Sequence, residues 1–284
     1  MVKTEQSRRN FLQAVGAGAI CLAGTGRCLG QVGSADKKKS QAKFELGLAS
    51  YTLREFNLED TLAMTRRVGL KYICFKDFHL AMDSTPAQIQ DAVQKVKDAS
   101  LVLYGGGVIY MGNEKQVNDA FDYAKAAGMK VIVGVPQPEL LLLVNDKVRQ
   151  YDIKVAIHNH GPTDKVYPTP ASAYEKIKGL DKRIGLCNDI GHTIRAGVDP
   201  AESVKKYADR LLDVHIKDVS AANKDGSAVE VGRGVIDIPK FLKTLIKIEY
   251  DGIVSFEYEK DAKDPMAGLA ESVGYVKGVL AAIG

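Results

Sequence analysis

From Phe44 to Gly284, short apolar or β-branched runs alternate without a break with longer stretches whose apolar residues recur at helical spacing. The strand-like runs fall near residues 45–50, 71–75, 101–109, 129–135, 153–158, 183–189, 211–217 and 252–257. Helical spacing occupies 58–68, 86–99, 114–127, 138–150, 170–179, 200–208, 238–248 and 263–282, with Gly69, Gly128 and Gly179 as stop signals before the next strand. Eight such β/α units in about 240 residues predict an α/β protein, a (β/α)8 TIM barrel forming a single domain over 44–284. A doubly wound open sheet needs fewer units. The first strand–helix junction, Ala49-Ser50-Tyr51-Thr52-Leu53, also lacks the glycine pattern of a dinucleotide fold. Barrel chemistry gathers at the carboxyl ends of the strands, so candidate residues are sought there.

The five histidines, His79, His158, His160, His192 and His215, all fall at or just past the carboxyl end of a predicted strand. Acidic residues join them: the sixth strand ends Asn188-Asp189-Ile190-Gly191-His192, the seventh runs His215-Ile216-Lys217-Asp218, and the eighth reads Ser255-Phe256-Glu257. Side chains alternate along a strand, so His158 shares a direction with His160, and His215 with Lys217, while Ile157, Ile216 and Phe256 take the opposite phase. His158, Asp189, His215 and Glu257 therefore converge from four successive strands. Two imidazoles and two carboxylates suit one divalent ion of Mn, Co, Zn or Fe in a catalytic site. The competing reading is a metal-free buried charge network, which is costly to desolvate. The second strand ends Lys76-Asp77-Phe78-His79, placing Lys76 and His79 where they can grip substrate hydroxyls.

The first thirty residues read as a separate object. Arg8-Arg9 precedes Phe11-Leu12 and a small, weakly apolar run from Ala14 to Gly24, the pattern of a Tat-type export signal over 1–30. Residues 31–43, polar and lysine-rich, read as a disordered linker. The leader carries Lys3, Arg8, Arg9 and Arg27 against Glu5, so its removal lowers the formal net charge from +4 to about +1. That balance gives no reason to invoke nucleic acid or an anionic membrane, and beyond the leader no uninterrupted apolar run approaches the roughly 18 residues of a membrane span. A periplasmic location and a soluble mature chain are expected. Of the four cysteines, Cys21 and Cys28 belong to the leader region, and Cys74 and Cys187 read as small buried apolar residues.

Four segments together, Asn188-Asp189-Ile190-Gly191-His192, His215-Ile216-Lys217-Asp218, Val231-Gly232-Arg233-Gly234-Val235-Ile236-Asp237 and Ser255-Phe256-Glu257, resemble the xylose-isomerase-like TIM-barrel superfamily, widely labelled sugar phosphate isomerase/epimerase. The resemblance covers essentially Phe44 to Gly284. It implies metal-ligand positions for Asp189, His215 and Glu257 and a substrate-hydroxyl contact for His192. It also exposes a departure. Ketose epimerases of the superfamily carry a glutamate on the fifth strand that pairs with the eighth-strand glutamate as a second base, and His158 stands there in this chain. A metal-bound imidazole has no lone pair left for a proton. The pattern is therefore nearer to the dehydratase and lyase branches.

These readings predict enolisation of a keto sugar, with a metal polarising the carbonyl, Glu257 or His160 removing the α-proton, and Lys217 or His160 assisting the departing oxygen. Arg233 lies near the place where barrels often bind phosphate. Export argues for an unphosphorylated carbohydrate substrate, preferably a 3-keto-glycoside cleaved as a 1,2-lyase or dehydratase would. The alternatives are a ketose isomerase/epimerase and a non-catalytic periplasmic sugar-binding protein. A DNA-repair endonuclease of this fold needs a richer ligand set and a basic face.

Overall fold

The computed structural model describes residues 41–283. The expected export signal over 1–30, and the linker as far as residue 40, lie outside the described residues.

Eight parallel strands close into a barrel: β1 (Glu45–Ala49), β2 (Tyr72–Phe75), β3 (Val102–Met111), β4 (Val131–Pro136), β5 (Lys154–His158), β6 (Ile184–Asp189), β7 (Leu211–Ile216) and β10 (Ile253–Phe256), with β10 pairing back onto β1. Between β7 and β10 the chain adds a two-stranded antiparallel hairpin, β8 (Asp218–Val219) and β9 (Ala228–Val229). The helices are α1 (Leu58–Arg67), α2 (Pro86–Asp98), α3 (Glu114–Ala126), α4 (Leu141–Tyr151), α5 (Pro170–Ile177), α6 (Ile190–Arg195), α7 (Pro200–Lys206), α8 (Ile238–Lys247) and α9 (Met266–Ile283).

Local chemistry explains the starts of these helices. Asn57, Thr85, Asn113, Thr169, Asp189, Asp199 and Asp237 each accept an amide of the first turn, and Thr85 and Thr169 complete reciprocal capping boxes. Each cap satisfies a donor that the first turn leaves without a partner, and losing one typically costs about 1 kcal/mol. Leu62, Ile89, Val96, Phe121, Val144, Phe241 and Leu245 point these helices onto the outer face of the sheet, where Ile73, Ile132, Ile157, Ile216 and Phe256 are also buried. α9 is long and apolar enough by composition to cross a membrane, but Glu271 and Lys277 interrupt it and Leu269, Val273 and Val276 pack into the core. Cys74 and Cys187 are free and buried, as small core residues.

Two features were absent from the sequence expectation. α6 is a single short helix directly after β6, and the β8–β9 hairpin precedes the Val231–Asp237 segment. Both bear on the site.

Candidate metal centre and adjoining cavity

His158, Asp189, His215 and Glu257 each offer one donor atom, and these atoms all lie within 4.8 Å of one another. The arrangement follows from register. β5, β6, β7 and β10 bring these residues to the same rim, with His158 paired to Cys187 and Asp189 to His215. His158 Nε2 is 3.2 Å from His215 Nδ1 and 3.4 Å from Asp189 Oδ2, and His215 Nδ1 is 3.2 Å from Glu257 Oε2. All four side chains are buried.

Asp189 is divided between two tasks. Its Oδ1 caps α6 by accepting the His192 amide at 2.7 Å, which fixes the carboxylate and aims Oδ2 at the centre. Its own amide donates to Asn159 Oδ1, and the Thr193 hydroxyl binds back to its carbonyl, so the β6–α6 junction is tied on both sides. A short helix here is thus a device for orienting one oxygen.

Lys217 enters the same centre. Its Nζ donates to Glu257 Oε2 and to Glu259 Oε1, both at 2.6 Å, and lies 2.9 Å from Asp189 Oδ2 without a hydrogen bond to it. Gly191 makes this reach possible, because a Cβ there would collide with Cγ of Lys217. Burial opposes the ammonium charge, but the Asp189, Glu257 and Glu259 carboxylates outweigh it and hold Lys217 well above the ordinary lysine range. Asp189 and Glu257 are held well below the carboxylate range: burial opposes their charge, and Lys217 overrides it.

The imidazoles divide in the same way. Burial depresses His158 to about 3, so it stays neutral with a lone pair available. At His215 burial again opposes the charge, but the adjacent Glu257 prevails and shifts it upward. Asp189 Oδ2, aimed at the centre, is buried without a hydrogen bond, and so are His158 Nδ1 and His215 Nε2, the ring nitrogens other than those that meet there. Unsatisfied polar atoms of this kind are rare in a folded interior and mark strain or a missing ion. The donor set, two nitrogens and two carboxylate oxygens, fits a borderline divalent cation.

Above this centre is a cavity of ≈340 Å³, lined among others by Lys76, Tyr110, His160, His192, Glu257 and Glu259. Its size suits one sugar ring. Burial and the neighbouring His192 lower His160, and burial lowers His192, so both present neutral rings to the cavity. The Tyr110 phenol is 3.1 Å from His160 Nε2, with the two rings stacked at 5.7 Å. Lys76 donates to the Val108 carbonyl at 2.7 Å and stands at the cavity wall.

Two expected substrate contacts are placed elsewhere. His79 is buried and its ring is fully engaged: Nδ1 is 2.8 Å from Ser50 Oγ, and Nε2 is 2.9 Å from Thr61 Oγ1 and 3.1 Å from the Phe56 carbonyl. It braces the loops after β1 and β2 against α1 and does not line the cavity. Arg233 is exposed and forms a bidentate pair with Glu271 on α9. Nor does its loop offer amides to a phosphate. Asp218 already accepts the amides of Gly232, Gly234 and Ile236, and a Cβ on Gly234 would collide with that carboxylate. Position at the rim was legible in the sequence; the direction of these two side chains was not. Tyr110 and Glu259 were missed: β3 runs to Met111, past the expected end at 109, so Tyr110 fell outside the expected run, and Glu259 lies beyond the end of β10. Glu259 alone carried a signal, standing two residues beyond Glu257 in the same phase.

The family model described as "Xylose isomerase-like TIM barrel" matches residues 112–279. The chain belongs to this family. Among its relatives is an inosose dehydratase of Geobacillus kaustophilus, 32% identical over 129 residues, which cover 40% of this chain and 41% of the relative. The chain spans about two fifths of the length of the curated relatives first in similarity, which include the rhizopine catabolism protein MocC of Rhizobium meliloti, 28% identical over 131 residues, covering 41% of this chain and 40% of that one. Solved xylose isomerase-like barrels share the fold. An L-ribulose 3-epimerase superposes with a TM-score of 0.69 at 18% identity, covering 84% of this chain and 95% of that chain. The IolI protein with a bound zinc atom gives 0.68 at 21% identity, covering 84% and 98%.

Proposed function

We propose that this family member is a divalent-metal-dependent enzyme that enolises a keto sugar and expels an oxygen leaving group β to the carbonyl, acting on an unphosphorylated 3-keto-glycoside. One observation carries the choice of elimination over epimerisation. Both carboxylates that line the cavity, Glu257 and Glu259, come from the same strand end, and the opposite side offers the His158, His160 and His192 imidazoles, Lys76 and two tyrosines but no second carboxylate. Inverting a carbon requires a base on each face of the substrate. Elimination requires one base and one proton donor.

The residues fit those roles. His158, Asp189, His215 and Glu257 would hold the ion, which would supply Lewis-acid polarisation of the carbonyl and its neighbouring hydroxyl. Glu257 removes the proton from C2, and the electron pair left on carbon forms the C1–C2 double bond as the C1–O bond breaks. The departing alkoxide takes the proton shared by Tyr110 and His160, leaving an alcohol and an unsaturated keto sugar. Lys217, held charged, fixes Glu257 and Glu259 and lends positive potential to the enediolate. The Gly232 and Gly234 amides spent on Asp218 support an unphosphorylated substrate. A relative named for dehydration supports an elimination, while the fold shared with an L-ribulose 3-epimerase keeps ketose epimerisation as the second reading.

Aglycone release from an alkyl or aryl 3-keto-glucoside, followed in D2O, separates the two. Elimination releases the alcohol and forms an unsaturated keto sugar, and deuterium at C2 of the substrate slows the reaction where proton removal limits it. Epimerisation would yield an inverted ketose carrying solvent deuterium and no free alcohol, and that outcome would reject the lyase reading. Glu257→Gln is expected to lower the rate on the order of 10²-fold or more. We further propose an exported enzyme. With Arg8 and Arg9 both replaced by lysine, the chain should stay in the cytoplasm, and continued export of that variant would remove the proposal.

A further inference from the structure

A second cavity, of ≈200 Å³, adjoins the sugar cavity on the β2–β3 side of the rim. Phe75, Leu80, Met82, Ile109 and Tyr123 supply its walls. Three residues, Lys76, Val108 and Tyr110, line both cavities. The polar atoms at this boundary are arranged unevenly. Lys76 Nζ sits on the Val108 carbonyl and the Tyr110 phenol on His160, so both face the junction. Deeper in, the Tyr123 hydroxyl is used up on the Leu80 carbonyl at 3.0 Å, which leaves an apolar wall. Tyr110 is 57% exposed, a large aromatic surface standing uncovered where the two cavities meet.

We propose that this second cavity is the leaving-group subsite and that it takes an aromatic or similarly apolar aglycone of about one ring. The inference rests on the elimination reading above and names the substrate class for it. Size supports the assignment, since a dry apolar cavity of about 150 Å³ holds benzene. Chemistry selects against a second sugar. Asp77 and Lys76 put polar groups only on one edge of this cavity, and a polyol seated deeper would bury hydroxyls against Phe75, Leu80 and Ile109, a penalty that an aromatic ring escapes. Adjacency supplies the geometry: Lys76, Val108 and Tyr110 line both cavities, so a bond broken at the Tyr110 edge would leave its oxygen beside the Tyr110–His160 pair and its carbon body toward the apolar walls.

The probe is 4-bromophenol, which requires no turnover. It should bind the metal-loaded protein saturably with a Kd on the order of a millimolar or tighter, as suits a fragment of this size. Anomalous scattering from a soaked crystal should place bromine among Phe75, Leu80 and Tyr123. Met82→Glu, on the half-buried wall, should weaken that binding about tenfold or more and raise KM for an aryl 3-keto-glucoside by a similar factor. KM for the methyl 3-keto-glucoside and the metal content should stay unchanged. Bromine located elsewhere, no saturable binding, or equal effects of Met82→Glu on the aryl and methyl substrates would overturn the subsite. If the phenol binds in this cavity but the aryl substrate is not cleaved, the cavity stands as an aromatic-ligand site and the elimination reading falls.

Discussion

The barrel interior holds two polar layers one strand repeat apart, and they are built to opposite standards. Cys187, Asp213 and Ser255 form a floor, and Asp189, His215 and Glu257 stand two residues further along the same strands at the rim. In the floor, the Tyr104 hydroxyl reaches across from β3 to Ser255 Oγ at 2.6 Å and Asp213 Oδ2 at 3.1 Å, while Asp213 Oδ1 accepts the Val214 amide. Among the described residues no side-chain nitrogen or oxygen of the floor lacks a hydrogen bond, whereas at the rim Asp189 Oδ2, His158 Nδ1 and His215 Nε2 make none, Asp189 Oδ2 meeting Lys217 only as an ion pair. Burial holds the Cys187 thiol far above its usual range and lifts Asp213 to about 7, so the floor resists charge. The rim carries charge and concentrates it. A satisfied polar layer specifies and stabilises a fold; an unsatisfied one of equal burial is tolerated where a ligand completes it.

The largest effects should come from the rim. Asp189→Ala and His215→Ala are each expected to lower divalent-metal affinity by more than ~100-fold, beyond what loss of an outer partner of a ligand costs. Titration of the purified variants with Mn or Zn reads this directly, and wild-type affinity in either variant would break the contrast between layers. Next comes Lys217→Met, which leaves three carboxylates facing one another. Metal-free protein should lose about 3 kcal/mol of stability, as when one partner is removed from a buried ion pair, and saturating metal should return part of it. Chemical denaturation with and without metal tests both halves of that statement.

Smaller effects belong to the floor. Asp213 is protonated more readily in the fold than in the unfolded chain, so its contribution is fully present below its ordinary value near 3.8 and is lost as pH rises through about 7. Between those values the unfolded chain binds fewer protons, and stability should fall as pH rises. Asp213→Asn should flatten that slope while leaving metal affinity unchanged, and an unaltered slope would mean that Asp213 ionises normally. Ser255→Ala, the smallest change, should cost about 1 kcal/mol for one lost hydrogen bond. A large effect of Ser255→Ala on metal affinity would show that floor and rim act as one unit.

The barrel was legible because eight parallel strands buried on both faces must be apolar runs, and each run met its helix in the expected place. The four convergent donors were legible for a related reason, since strand phase and position at a carboxyl end decide where a side chain points. That logic stops where the strands stop. His79 lies past β2 in a loop whose path is set by tertiary packing, and it turns inward onto Ser50 and Thr61. Arg233 follows the β8–β9 hairpin, too short to leave a periodic signature, and turns outward to Glu271. Tyr110 and Glu259 became visible only once the rim was closed and the cavity had walls.

The measurement closest to the central claim is metal content set against activity in one preparation. Mature protein, stripped with chelator and reloaded, should carry about one divalent ion per chain, and release of alcohol from a 3-keto-glucoside should vanish and return with it. Full activity in chelator, with elemental analysis finding no metal after reconstitution, would contradict the account: the rim would then be a charge network closed by Lys217 alone.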